Sequence, residues 1–177
     1  IDHGHLLSGE EDFAAEVGYL PVRADCDLSQ AGVEGAWEAH CGGRGIPEYV
    51  EEHLATEDRS TELRDVGAVD PETLFGAAAG GDAVAKDCLE RIHRYNAVGI
   101  GALANVFDPG LITLGGGIVL NNADVVLSGI RRHLDDFCLT DGPELAVTGL
   151  GGDIGLYGAM ALPEWTETRP GAHETRD

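Results

Sequence analysis

The chain has 177 residues, with 32 Asp or Glu against 11 Lys or Arg, a formal charge of −21. So anionic a surface repels nucleic-acid phosphates and the anionic face of a membrane, which excludes direct nucleic-acid contact and electrostatic membrane association. The 43% hydrophobic content supplies a buried core and excludes intrinsic disorder as the meaning of the charge.

In chain order, residues 1–24 read as extended structure. Their apolar groups Ile1, Leu6-Leu7 and Val17, Tyr19, Leu20, Val22 are short and broken by Gly4, Gly9 and Gly18. Residues 25–35 read as a polar loop. Residues 36–54 predict a helix in two pieces, hinged at Gly42-Gly43-Arg44-Gly45, and residues 55–69 a charged connector. Asp70 before Pro71 predicts an N-cap and a helix running to Gly80-Gly81. Asp82 then opens the longest helix, about 83–107, whose broad apolar face includes Val84, Cys88, Leu89, Ile92, Val98 and Leu103. Gly99 and Gly101 weaken a helix by roughly 1 kcal/mol each relative to Ala, so their place there implies close packing against another backbone. The stripe reads as core; an oligomer interface is the alternative.

Leu111-Ile112-Thr113-Leu114 reads as a strand ended by Gly115-Gly116-Gly117, followed by a helix over about 121–136. Leu145-Ala146-Val147 is a second strand. Gly151-Gly152-Asp153 leads into a small-residue helix ending at Leu162, with Asp153 as its N-cap, and residues 163–177 read as a flexible polar tail. Helix, strand, glycine turn, helix, strand, helix is an α/β order.

Lys86 is the only lysine, beside ten arginines. Acid-rich, lysine-poor surfaces suit concentrated salt, so the chain reads as a halophile's cytosolic protein, with an acidic mesophilic protein as the alternative. Cys26, Cys41, Cys88 and Cys138 have no CxxC spacing and do not form a secreted disulfide framework; Cys88 and Cys138 read as buried small hydrophobes. No apolar run approaches the roughly 20 residues of a membrane span. Residues 1–20 carry no basic segment followed by an apolar stretch, so no secretory signal is expected and the cytoplasm is the default. The chain begins without Met, which implies processing or truncation.

A strand ending in three glycines brings bare backbone amides up to an anionic ligand such as a phosphate, since no Cβ blocks the approach. Gly115-Gly116-Gly117 matches neither a P-loop nor a dinucleotide fingerprint, and a tight strand-to-helix turn is the other reading. Among the many carboxylates, Glu16 and Glu38 stand in otherwise apolar surroundings, AAEVGY and GAWEA. Held there by packing, each would accept hydrogen bonds from sugar hydroxyls; the alternative is a salt-bridged or edge-exposed acid.

Five islands in order resemble the ROK family of sugar kinases and sugar-responsive regulators. IDHGHLLSG is similar to the hairpin after that family's phosphate loop, AAEVGYLPV to its Glu-x-Gly-His segment, and GAWEAHCGG to its Gly-Cys-Leu-Glu-Ala-Tyr-x-Ser-Gly segment. LANVFDPGLITLGGGIVL resembles the Asn-x-x-Asp-Pro-x-x-Ile-x-x-Gly-Gly-Gly stretch, and GGDIGLYGAMAL the opening of the final helix. The match covers residues 1 to about 162.

The resemblance implies an actin-like, ribonuclease H-like lobe with short strands and long packed helices, here the C-terminal lobe of a two-lobed, glucokinase-like hexose kinase. The family's Asp-x-Gly-x-Thr motif, and the Asn-Asp pair carrying its catalytic base, fall upstream of residue 1. This chain therefore carries no catalytic residue and is expected to be inactive alone. ATP and Mg²⁺ are implied for the complete protein, as are a small-molecule sugar and homo-oligomers. Glu16 and Glu38 match the family's sugar-contacting glutamates, and Gly115, Gly116 and Gly117 its nucleotide-side turn. Tyr19 stands where the family has a His that contacts sugar and ligates zinc. With Ser29, Ala31 and Ala36 at the other ligand positions, the implied zinc set is gone and no structural zinc is expected; packing should stabilise the 25–35 loop. Cys26, His40 and Cys41 lie nearby but out of register. The alternatives are the sugar-sensing lobe of a ROK-type transcription regulator, or a degenerate homologue serving only in oligomer contacts.

Overall fold

The computed structural model describes residues 7–167, with side chains to residue 161. The expectation of an extended segment at residues 1–6, and of a flexible tail at residues 168–177, falls outside these residues. Between residues 7 and 24 there is no named strand: Val17–Tyr19 form one 3-10 turn. Beyond it the backbone is extended only where it pairs with residues 35–37, through an isolated bridge between Pro21 and Ala36. Val22 donates its amide to Gly35 O at 2.9 Å and Trp37 its amide to Leu20 O at 2.8 Å. Pro21 is the non-hydrogen-bonded member of this pair, so its missing N–H costs the bridge nothing.

Residues 25–35 hold an antiparallel hairpin rather than a plain loop, with strands β1 (Ser29–Gln30) and β2 (Val33–Glu34). Its two-residue turn, Ala31-Gly32, has φ of +49° and +83°. Positive φ at both positions is the hairpin geometry that matches strand twist, and Gly32 adopts it freely. Helix α1 (Trp37–Cys41) follows, then α2 (Gly45–Ala55), broken at the expected glycine hinge.

Helix α3 (Pro71–Gly80) starts as its sequence requires: Asp70 Oδ1 accepts the Thr73 amide at 2.8 Å, and Gly81, at φ +105°, ends it. Asp82 Oδ1 accepts the amides of Val84 and Ala85, both at 2.9 Å, and opens α4 (Ala83–Phe107). The other oxygen of Asp82 takes the Glu62 amide at 2.8 Å, so one carboxylate caps the long helix and pins the connector.

Strand β3 (Leu111–Leu114) pairs in parallel with β4 (Glu144–Val147), Leu111 opposite Glu144 through Leu114 opposite Val147. Between them lie two helices rather than one, α5 (Gly117–Asn121) and α6 (Ala123–Leu134), broken at Asn122. After β4, Gly151–Asp153 form a 3-10 turn that runs into α7 (Ile154–Glu167). This helix continues through Pro163, five residues past its expected end.

The core is built on α4, whose apolar row packs on α1, α3 and α6 over most of its length, leaving Val106 and Phe107 at its end exposed. Ile46, Val50, Leu63, Leu74, Val84, Cys88, Ile100 and Ile130 are all but fully buried. Each such aliphatic side chain contributes roughly 1.5–3 kcal/mol. Cys88 is buried as expected, whereas Cys138 is only half-buried. The α4 glycines are notches. A Cβ on Gly99 would collide with the Trp37 indole, and one on Gly101 would stand 2.6 Å from Phe137 Cβ and 2.7 Å from its carbonyl oxygen. At the α4–α6 crossing Gly129 leaves room for the His93 ring in the same way.

His93 is 3% exposed, and neither ring nitrogen has a hydrogen-bond partner. Burial, reinforced by nearby Arg132, pushes its pKa down to about 4. The unfolded chain holds this proton below about pH 6.5 and the folded one only below about pH 4, so folding stability is lost as pH falls between them. The ceiling is roughly 3 kcal/mol. Unfolding free energies of wild type and His93→Phe, measured by denaturant titration across this window, should shift against the wild type as pH falls. Parallel curves would contradict a neutral imidazole in the core.

Candidate functional site

Glu38 lies in the first turn of α1, with its side chain exposed. The 3-10 turn of residues 17–19 sits against it: a Cβ on Gly18 would lie 3.1 Å from Glu38 Oε2 and 3.4 Å from Glu38 Cβ. A glycine therefore lets the two segments close on the carboxylate. Glu16 immediately precedes that turn and is exposed, and Tyr19 ends it, half-buried. The expectation that packing holds both glutamates fails for Glu16. It holds in part for Glu38, which is solvent-facing but seated on Gly18.

Val17, Gly18, Trp37, Glu38, Cys41, Gly42 and Asn96 line a shallow pocket of about 260 Å³. A deeper cavity of about 340 Å³ is lined on one side by Trp37, Cys41, Gly42 and Asn96, and on the other by Gly115, Gly116 and Gly117. The carboxylate of Glu38 and the glycine turn thus open onto two hollows with four lining residues in common. Neither Glu16 nor Tyr19 lines either hollow.

The three glycines do different things. Gly115 is packing: a Cβ there would meet Thr148 Cγ2 at 3.0 Å. Gly116 turns the chain at φ +89°, and Gly117 begins α5. No atom lies within 4 Å of a Cβ built on Gly116 or Gly117, so the backbone there is open to an incoming group. The first amides of α5 have no acceptor within the helix.

Trp37 and Asn96 are the site residues that the sequence did not reveal. The Trp37 indole fills the Gly99 notch and donates its Nε1–H to Asn96 Oδ1 at 2.8 Å, fixing the shared wall of both hollows. A Trp beside a glycine-notched helix reads as core, and only the polar Asn96 on the apolar α4 row was a signal. Cys41, also in that wall, gives its thiol to Ile92 O at 3.6 Å, and burial pushes it up.

Among the described residues, no three His, Cys, Asp or Glu side chains come together to hold a metal ion. Cys26 and His40, out of register by sequence, do meet, at 3.5 Å. No described helix is long and apolar enough to cross a membrane.

Gly116→Ala should lower stability by roughly 1–3 kcal/mol, because φ +89° with ψ 162° is backbone that essentially glycine alone adopts; Gly117→Ala should leave it within about 0.5 kcal/mol. Thermal unfolding of both variants checks this. Equal losses would mean that Gly117 is also structural.

The sequence profile of the family described as "ROK family" matches residues 1–165. The glucokinase of Streptomyces coelicolor is 30% identical over 167 residues, an alignment covering 89% of this chain and 52% of that protein. A ROK family glucokinase from Streptomyces griseus, solved in complex with glucose and AMPPNP, superposes with a TM-score of 0.72 at 30% identity. It covers 89% of this chain and 54% of its own. A ROK family transcriptional regulator gives a TM-score of 0.65 at 23% identity, covering 81% of this chain and 37% of its own, and so shares the fold. The chain spans about half the length of the curated relatives it matches. Its α/β order of long packed helices and short strands is that of the actin-like sugar kinases.

Proposed function

Because this chain belongs to the ROK family, we propose that it is the sugar- and nucleotide-binding lobe of a glucokinase-like, ATP-dependent hexose kinase. The observation that carries the reading is the junction of two hollows, one bounded by Glu38 and the other by the Gly115–Gly117 turn, across the wall of Trp37, Cys41, Gly42 and Asn96. In this reading Glu38 accepts hydrogen bonds from sugar hydroxyls, and Glu16 and Tyr19 close over the sugar from the adjoining turn. Gly116 and Gly117, open to approach, carry the nucleotide, whose phosphates bring Mg²⁺ and supply the transferable phosphoryl group. Catalysis of this kind rests on positioning and charge stabilisation, so the missing part is the base that takes the sugar proton. We place it on an upstream lobe. The exposed side chains of α7 support a second lobe: every residue from Ile154 to Ala161 is exposed, including Leu156, Tyr157 and Met160. The absence of ligating side chains at Tyr19, Ser29, Ala31 and Ala36 fits a protein without structural zinc.

The fold shared with a transcriptional regulator supports a second reading, a sugar sensor with the same lobe. A degenerate homologue is the third. The upstream-extended polypeptide, assayed for sugar-dependent ADP formation with Mg-ATP and a panel of hexoses, separates them. Turnover by the long form, none by the 177-residue chain, and loss of at least about 100-fold in kcat/KM on Glu38→Gln is the kinase outcome. Sugar-dependent thermal stabilisation without turnover sinks the kinase and leaves the sensor; neither response leaves the degenerate homologue.

The charge balance extends the proposal to a halophilic source. The melting temperature of the chain should fall steadily as KCl is lowered from molar to about 50 mM, because self-repulsion among carboxylates loses its screening. A melting temperature indifferent to salt would favour the mesophilic alternative.

A further inference from the structure

Cys26 and His40 form a pair that the proposed sugar and nucleotide site does not use. His40 lies on α1 with its side chain fully buried, and its Nδ1 stands 3.0 Å from Ala36 O. A carbonyl oxygen can only accept, so Nδ1 carries the ring hydrogen and the lone pair is on Nε2. That nitrogen faces Cys26 Sγ at 3.5 Å and is the nearest of the thiol's three acceptors, the carbonyl oxygens of Arg23 and Leu28 each lying at 3.8 Å. The ring is held in this orientation by Tyr95, packed edge-on at 4.9 Å between centroids, and by Tyr49 at 5.9 Å. Cys26 itself is half-buried, at the start of the hairpin loop.

The other three thiols differ. Burial pushes Cys41 up, Cys88 up to about 12, and Cys138 up. Among the described residues no imidazole faces any of them. A thiol is nucleophilic as the thiolate, and a base within hydrogen-bond reach supplies it.

We propose that Cys26 is a selectively oxidisable thiol, with His40 as its base and a hydroperoxide as the oxidant. The Cys26 proton passes to His40 Nε2. The thiolate sulfur attacks one peroxide oxygen, an S–O bond forms and the O–O bond breaks. The leaving oxygen takes the proton from the His40 imidazolium. Sulfur loses two electrons, the peroxide gains them, and the products are Cys26 sulfenic acid and water or alcohol. The product replaces the S–H with a longer S–O–H group, so the contact between the hairpin loop and α1 has to rearrange around the added oxygen. This proposal stands independently of the kinase reading.

The test treats the full chain with hydrogen peroxide, traps sulfenic acid with dimedone and assigns the adducts by mass spectrometry. Cys26 should react at least about ten-fold faster than Cys138 and than N-acetylcysteine at the same pH, with Cys41 and Cys88 silent in the folded protein. His40→Asn, with its fold checked by circular dichroism, should bring Cys26 down to the Cys138 rate. If that variant does not fold, the wild-type comparison decides alone. Cys26 reacting no faster than N-acetylcysteine, or unchanged in a folded His40→Asn variant, overturns the proposal.

Discussion

The placement of the Trp37 indole in the notch at Gly99 is the contact on which the rest of this molecule depends. It sets how closely α1 approaches α4, because any Cβ at position 99 would occupy the ring's space. It also removes a polar atom from the core, since the indole N–H is satisfied by Asn96 Oδ1 at 2.8 Å. Three things follow from one side chain. Glu38, the next residue, is carried to the rim of the shallow pocket. The wall between that pocket and the deeper cavity is fixed. The hinge of Gly42 to Arg44 is left to redirect α2 across the core, where Ile46 and Val50 are buried. The glycines of α4 weaken the helix intrinsically, and burial of an aromatic ring at the notch offsets that loss.

The charge of the chain works against this compact core, and its few cations are placed in small clusters. Arg59 forks onto Glu57 at 3.0 and 2.6 Å and reaches Asp87 at 2.6 Å, tying the connector after α2 to α4. Arg132 and His133 of α6 converge on Glu90 of α4, at 2.5 and 2.8 Å. Arg23 meets Glu52 at 3.2 Å and links the segment before the hairpin to α2. These pairs sit at the surface, where water and salt screen them, so they add little to stability. Their value is positional: each joins elements that are distant in sequence. With 32 acids against 11 cations, most carboxylates have no cation to meet, and apolar burial along α4 holds the fold.

Sequence was most informative where local chemistry decides structure. Asp70-Pro71 and Gly81-Asp82 fix helix ends through side-chain caps and a left-handed stop, and α3 and α4 begin and end there. It failed where tertiary pairing decides. The β1–β2 hairpin turns on Ala31-Gly32, which carries no Asn or Asp to announce a positive φ at both positions. The last helix was expected to end at Leu162, yet α7 runs on through Pro163 to Glu167. The break at Asn122 was hidden because the helical apolar spacing runs on either side of it. For the site, Glu38 and the glycine turn were legible from the motif islands. Trp37 and Asn96 were not, because what they line exists only once α1 lies across α4.

The loop of residues 25–35 shows how a fold keeps a segment in place with weak parts. Tyr19, Ser29, Ala31 and Ala36 stand where the resemblance implies metal ligands, and none of them can supply a thiolate or imidazole. A structural zinc is worth on the order of 10 kcal/mol in small domains, far more than any single contact present here. Several contacts share the task instead. The Ala31-Gly32 turn closes the hairpin, and Gly35 donates its amide to Leu28 O at 2.8 Å while accepting from Val22 at 2.9 Å. At φ +69°, Gly35 also packs its α-carbon against the Arg23 carbonyl, where no side chain fits. The thiol of Cys26 adds one hydrogen bond to His40 of α1. A metal would hold four points at once and release them only together. Separate contacts of roughly 1 kcal/mol each can be lost singly, so the hairpin can loosen from α1 at Cys26 while its own turn stays closed.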